Sequence, residues 1–412
     1  MNCRMCNSTH LFDFLDLGFT PPADQFRRRD QLLQPVTHYP LITSLCEDCG
    51  LVQLRYVVSP EILYRQDYPY EASTTRTGKQ HFHDFAASVV DKYGFGEADL
   101  VVDIGSNVGV LLEGFKVRGL RVLGVDPATN IVRIAEKRGI ETIDEFFTEA
   151  IATAIAAERG QASVISGSNV FAHIDDLNGF LKAVDILLKE TGVLVIEVPH
   201  LLHLIDNLEY DTIYHEHLSY ISVEPLIGFF ARFGMQVINV ECKDIHGGSI
   251  RIFAARQGVH PVENSVAEIV ALEQAKGLRD KQTLVQFAGR VQANRNDLVW
   301  LLQRLKHEGK RIVAVSAPAK GMTLLNYCRI GRESLEYVTE KAPLKIGRFT
   351  PGDHIPVVAD ARLYETRPDY ALLLAWNFAR EIMANISDYT AAGGKVIVPI
   401  PTPVILDKDS VL

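Results

Sequence analysis

Long apolar runs are missing from this 412-residue chain. The longest, Val193 to Val198 and Tyr370 to Trp376, fall far short of the roughly 20 residues a membrane helix requires, so no membrane partner is expected. Surplus positive charge is missing too. Lysine and arginine number 42 against 51 aspartates and glutamates, a formal net charge of -9, which argues against broad phosphate-backbone binding and hence against a nucleic-acid partner. The basic cluster Arg27 to Arg29 is followed at once by Asp30 and reads as a solvated loop. The opening residues Met1 to Cys6 lack the basic start and apolar stretch of a secretory signal, so a cytoplasmic location is expected. No internal repeat and no low-complexity tract occurs. Cysteine is scarce, with 6 in all, and four of these form two close pairs. In a reducing compartment such pairs bind metal more often than they form disulfides. Cys242 and Cys328 stand alone in apolar surroundings and read as small buried hydrophobes.

What remains is an ordinary globular composition, 47% hydrophobic and 23% charged, in a chain long enough for two or three domains. Residues 1–75 are rich in cysteine, proline and aromatics but poor in helical periodicity, as expected of a separate small zinc-binding module. Over 76–258 a helix reaching Tyr93 leads into the strand Leu100 to Ile104. Helices then alternate with the short apolar runs Val122 to Val125, Ser163 to Ser166 and Val193 to Val198. This alternation predicts a doubly wound, Rossmann-like α/β domain that closes with strands Met235 to Val240 and Ser249 to Ala255. Residues 259–412 begin with two helices, read from Ile269, Leu272, Leu284, Phe287, Val291, Leu298 and Leu302. A smaller α/β unit follows, with strands at 311–316, 355–359, 370–374 and 395–399 and a helix from about Gly321.

Three segments carry chemistry. The CxxC pairs Cys3/Cys6 and Cys46/Cys49 offer four thiolates to one tetrahedral zinc, a closed and therefore structural site. A redox pair is the rival, but no thioredoxin-like βαβ pattern accompanies these cysteines. The loop from Val101 to Gly109 ends a strand and opens a helix, with Gly105 and Gly109 placed for close approach of a cofactor. Asp126, ending the next strand, suits the hydroxyls of a ribose. Asn107 stands where the dinucleotide fingerprint GxGxxG has its second glycine, which favours a phosphate-free adenosyl cofactor over a nicotinamide nucleotide. The third segment, Tyr210 to Tyr220, crowds Tyr214, His215, Glu216 and His217 at the carboxyl end of the sheet, where either histidine could be a general base. In an extended loop, alternation would put His215 and His217 on one side and Tyr214 and Glu216 on the other.

The cysteine pairs, the turn Leu17–Pro22, Asp103–Asn107, Asn169–His173, Tyr214–His217, His246–Ser249 and Ala317–Gly321 together resemble the S-adenosylmethionine-dependent sugar C-methyltransferases. The resemblance runs in order over nearly the whole chain. It implies C-methylation of a nucleotide-linked 4-keto-deoxysugar, dTDP- or GDP-linked, most readily at carbon 3, in branched-sugar biosynthesis. It also implies a zinc-binding N-terminal domain, a central S-adenosylmethionine domain, and a C-terminal domain helping to hold the nucleotide sugar. His217 is implied as the base, with Tyr214, Glu216, His173 and Tyr68, from Asp67–Tyr70, around the sugar. Asp103, Gly105, Asn107, Gly109, Asp126 and Asn169 are implied around the cofactor. The enzyme is expected to act as a monomer. Its rivals are a nicotinamide-dependent nucleotide-sugar oxidoreductase, which the missing fingerprint disfavours, and a zinc-ribbon RNA-binding methyltransferase, which the acidic balance disfavours.

Overall fold

Three β-sheets carry the fold in the computed structural model, which describes residues 1–65, 68–69, 71, 76–245 and 247–410. Short runs of apolar and β-branched residues bounded by turns form the strands. Near the N-terminus these are β1 (Leu11–Thr20), β2 (Tyr39–Cys46) and β3 (Val52–Leu54). The central series is β4 (Leu100–Ile104), β5 (Arg121–Val125), β6 (Thr142–Ile143), β7 (Ala162–Ser168), β8 (Leu188–Pro199), β9 (Ser219–Tyr220), β10 (Met235–Lys243) and β11 (Ser249–Arg256). The last series is β12 (Ile312–Val315), β13 (Val338–Glu340), β14 (Val357–Ala359), β15 (Tyr370–Leu373), β16 (Lys395–Val398) and β17 (Val404–Leu406).

The central sheet has the order β10-β11-β8-β7-β4-β5-β6, with β4 to β8 parallel and β11 joined antiparallel to β8. From β4 the chain winds one way through β5 and β6, then returns to β7 and β8 on the other side. This doubly wound α/β order opens a ligand crevice at the carboxyl ends of β4 and β7. The last sheet, β14-β13-β12-β15-β16-β17, is parallel except for β17 and switches direction between β12 and β15. The two helices expected after β11 are Asn264–Ala275 and Lys281–His307. Asp280 caps the second by accepting from the Gln282 amide, and its Leu284, Phe287, Val291, Leu298 and Leu302 are buried. Leu272, counted in the apolar stripe, is exposed instead. No helix among the described residues is long and apolar enough to cross a membrane.

The N-terminal residues depart furthest from expectation. They form the antiparallel sheet β1-β2-β3-β9, whose fourth strand, Ser219–Tyr220, comes from the central part of the chain, after β8. Their apolar residues Leu15, Leu17, Leu41 and Leu45 share one core with Leu284, Phe287 and Ile312 rather than enclosing a core of their own. The strand pattern is hard to read because register shifts between Asp13 and Leu15 and between Asp16 and Phe19 interrupt the alternation of β1. Cys242 is exposed, contrary to its apolar sequence context, because it lies at the end of β10, past the buried stretch Val237–Val240; Cys328 is buried as expected.

Candidate active site

The glycine loop leaves β4 with Gly105 at φ +62°, Asn107 at +49° and Gly109 at +80°. A Cβ on Gly105 would lie 2.3 Å from Val170 Cγ2, so only glycine lets this turn close on the loop after β7. Asp126 at the end of β5 is buried and anchors the loop: Oδ2 accepts from the Asn107 amide at 2.9 Å and Oδ1 from the Ala128 amide at 2.9 Å. Burial raises its pKa, and a second lone pair remains on each oxygen. Asp103, also buried, accepts from the Ser166 hydroxyl at 2.7 Å and is pushed up to about 7, chiefly by burial. Asn169 takes a left-handed conformation at φ +57° and donates its amide to Glu197 O at 2.7 Å. These residues converge on the switch point between β4 and β7. A buried, anchored carboxylate and a loop without the second fingerprint glycine fit an adenosyl ligand that has ribose hydroxyls and no pyrophosphate.

The histidine segment is a tight turn and not an extended loop, since the His217 amide donates to Tyr214 O at 2.9 Å. The alternation expected above is therefore reversed. Tyr214 sits on His217, ring centroids 3.9 Å apart, whereas His215 turns away to Tyr39, its Nε2 3.3 Å from Tyr39 O. Burial pushes His215 down to about 4. His217 Nδ1 lies 2.7 Å from Thr212 O. A carbonyl oxygen only accepts, so Nδ1 carries a proton and donates it to Thr212 O.

Rings from three segments continue the stack. His173 lies 5.0 Å from His217, Tyr64 lies 6.1 Å from His173 at an interplanar angle of 9°, and Tyr68 meets the edge of Tyr64 at 5.7 Å. Burial holds His173 neutral, at about 4, and its Nε2 has no partner among the described residues; nor does the buried Tyr64 hydroxyl. Glu216 is buried beside Asp24 with Oε2 unpartnered among the described residues, and burial first, then the Asp24 charge, push it up to about 8. Asp24 itself pairs with Lys345 at 3.1 Å. It is delivered by the chain just past β1, which runs on through Leu17–Thr20 where the sequence suggested a turn, because Phe19 and Thr20 still pair with Pro40 and Tyr39.

Sequence reasoning missed Tyr64, Asp24 and a buried ionic cluster in which Glu197 accepts from Arg251 at 2.7 and 2.9 Å and meets His81 Nε2 at 2.6 Å. A signal was present, because Glu197 and Arg251 interrupt otherwise apolar strands. Asp67, Tyr70 and His246 lie outside the described residues. Between β12 and β15, Lys320 lies 3.8 Å from the buried Glu209, and Asp211 accepts from Trp376 Nε1 at 2.7 Å.

The four cysteines meet as their spacing requires. Cys3 and Cys49 sulfurs are 3.5 Å apart, as are those of Cys6 and Cys46, and all four lie within 4.8 Å of one another. Tetrahedral zinc with Zn–S bonds of about 2.3 Å spaces its sulfurs by about 3.8 Å, so this donor set fits zinc and leaves no open position.

Three family descriptions match the chain: a zinc-binding domain over residues 3–64, a methyltransferase domain over 79–240 and a C-methyltransferase C-terminal domain over 244–401. The C-methyltransferase NovU of Streptomyces niveus is 37% identical over 411 residues, covering 100% of this chain and 98% of that protein. A ubiquinone biosynthesis O-methyltransferase of Cupriavidus pinatubonensis is 31% identical over 94 residues, only 22% of this chain and 38% of that one. Among solved structures, an S-adenosylmethionine-dependent methyltransferase from Clostridium acetobutylicum covers 44% of this chain and 92% of its own at 15% identity and a TM-score of 0.36. With the four-cysteine cluster and the adenosyl crevice in place, the full-length match decides the assignment: the chain belongs to the S-adenosylmethionine-dependent C-methyltransferases that carry an N-terminal zinc-binding domain.

Proposed function

We propose that the enzyme methylates a carbon beside the ketone of a nucleotide-linked 4-keto-deoxysugar, at carbon 3, through an enolate generated by His217. The observation that supports this most is the bond from His217 Nδ1 to Thr212 O, which engages Nδ1 as donor and orients the ring beside the neutral His173, so that Nε2 is the nitrogen that takes the proton. A ketone makes the neighbouring carbon acidic, and a carbon must lose that proton before it is nucleophilic. His217 takes the proton, while Tyr214, His173 and Tyr68 donate toward the developing oxyanion. Glu216, protonated near neutral pH, donates a hydrogen bond to the sugar. Asp126 receives the ribose hydroxyls of the cofactor, and Asp103, Gly105, Asn107, Gly109 and Asn169 line the rest of its crevice. S-adenosylmethionine supplies an electrophilic methyl group when bound. The zinc takes no part in the chemistry.

The division of labour is proposed as zinc binding by 1–75, cofactor binding by 76–258 and nucleotide holding by 259–412. Lys320, at the switch point of the last sheet, is suited to the pyrophosphate of the sugar nucleotide. The test is mass spectrometry after incubating the protein and S-adenosylmethionine with a panel of dTDP- and GDP-linked 4-keto-sugars. A gain of one methyl on carbon of a panel member is expected. Methylation of oxygen, or of none of the panel, would refute the proposal.

A further inference from the structure

One of the two residues between Cys3 and Cys6 is Arg4, whose side chain is only 2% exposed. A buried guanidinium is tolerated only where several acceptors replace water. Arg4 has four. Its Nε donates to Asp175 Oδ1 at 3.0 Å, and the two hydrogens of its Nη1 are shared among Gln53 Oε1 at 3.1 Å, Leu54 O at 2.9 Å and Leu218 O at 3.2 Å. Its backbone is held as well, the amide donating to Gln53 Oε1 at 3.0 Å and the carbonyl accepting from Asn178 Nδ2 at 2.9 Å.

The positions of these acceptors matter more than their number. Leu218 directly follows His217, and Asp175 comes two residues after His173. One side chain therefore grips both segments that present the stacked histidines, whose ring centroids are 5.0 Å apart. The same Leu218 carbonyl accepts from the Leu54 amide at 2.9 Å, and β3 pairs with β9 immediately beyond it. At the other end, the backbone of Arg4 is fixed between Cys3 and Cys6, two of the four clustered thiols. With those thiols bound to zinc, the backbone from which the Arg4 side chain extends is held in the knuckle.

We propose that Arg4 is a positioning residue, through which the zinc knuckle sets the placement of His217 relative to His173. The cysteine cluster thereby serves the geometry of the active site and not only the folding of the N-terminal sheet. This rests on the histidine roles proposed above, but its structural half can be tested without them. Lysine at this position would keep the charge but lose the planar fork that reaches Asp175 and Leu218 together.

The experiment compares zinc-loaded wild type and Arg4→Lys by hydrogen-exchange mass spectrometry. We expect Arg4→Lys to retain one zinc per chain and to bind adenosylhomocysteine within about twofold of wild type. Amide exchange over 170–176 and 212–220 should accelerate about tenfold or more, with β4 and β8 unchanged. On a panel sugar that wild type methylates, kcat should fall about tenfold with KM for the methyl donor unaltered, because misplaced groups slow the reaction without weakening donor binding. Exchange that accelerates only within 1–58, rises uniformly or does not change would overturn the proposal, as would an unaltered kcat. If Arg4→Lys does not hold zinc, Asp175→Ala removes a partner that is 54% exposed and tests the His173 arm alone. Exchange must then rise over 170–176 with zinc content intact, and its failure to rise would overturn the proposal. Because exchange needs no sugar, it decides the role of Arg4 even if no panel member is methylated.

Discussion

Replacing Glu216 by glutamine removes one titration while nearly preserving shape. Glu216 is 3% exposed, and burial, reinforced by Asp24, raises its pKa from the ordinary 4.5 to about 8. Between those limits the folded protein holds a proton that the unfolded chain has released. Its contribution to stability therefore falls as pH rises through this window, is undiminished below pH 4.5 and levels off above about 8. Each pH unit in the window costs about 1.4 kcal/mol, and the whole window on the order of 5 kcal/mol. Glutamine carries no such cost. Asp103 and Asp211, raised by burial to about 7 and about 6, titrate in both proteins and cancel in the difference. Urea unfolding of wild type and Glu216→Gln at several pH values from 5 to 8 is the assay. The variant should gain stability over wild type by on the order of 1 kcal/mol per pH unit. A difference that stays flat across this range would show that Glu216 is ionised in the folded protein, and its role as a neutral hydrogen-bond donor would fail.

Two further outcomes follow from the donor sets. Protein purified without chelator should contain one zinc per chain, lost together when Cys46→Ser or Cys49→Ser breaks the four-thiol cluster; zinc-free wild-type protein on elemental analysis would contradict the site. Asp126→Ala should weaken adenosylhomocysteine binding by about 10- to 100-fold in calorimetry, since charge-assisted hydrogen bonds contribute about 1.5–3 kcal/mol. An unchanged dissociation constant would remove Asp126 from the cofactor site.

The central domain was legible because its signals are local. Val122 to Val125 is a continuous apolar run that belongs inside a parallel sheet, and Gly105 marks a backbone turn that tolerates no Cβ. The cysteine pairs were legible for the same reason, since CxxC spacing dictates geometry within one knuckle. What could not be read was set by distant partners. Tyr64 enters the ring stack only because the fold brings it against His173, and Asp24 acquires meaning only beside Glu216 and Lys345. The separation of His215 from His217 was lost because periodicity presumes an extended chain, and the bond from the His217 amide to Tyr214 O makes a turn. Strands β13 and β17, at three residues each, are too short to show any period.

Solvent deuterium exchange at the carbon beside the ketone tests the assignment of the base most directly, because it reads proton removal apart from methyl transfer. His217→Asn and His215→Asn should both fold and bind adenosylhomocysteine. His217→Asn should slow both deuterium uptake and methylation by about 10²- to 10⁴-fold, the usual contribution of a positioned base. His215→Asn should keep near-wild-type rates of both, since His215 faces Tyr39. If His217→Asn exchanges and methylates at wild-type rates while His215→Asn does neither, the base is His215 and the account is contradicted.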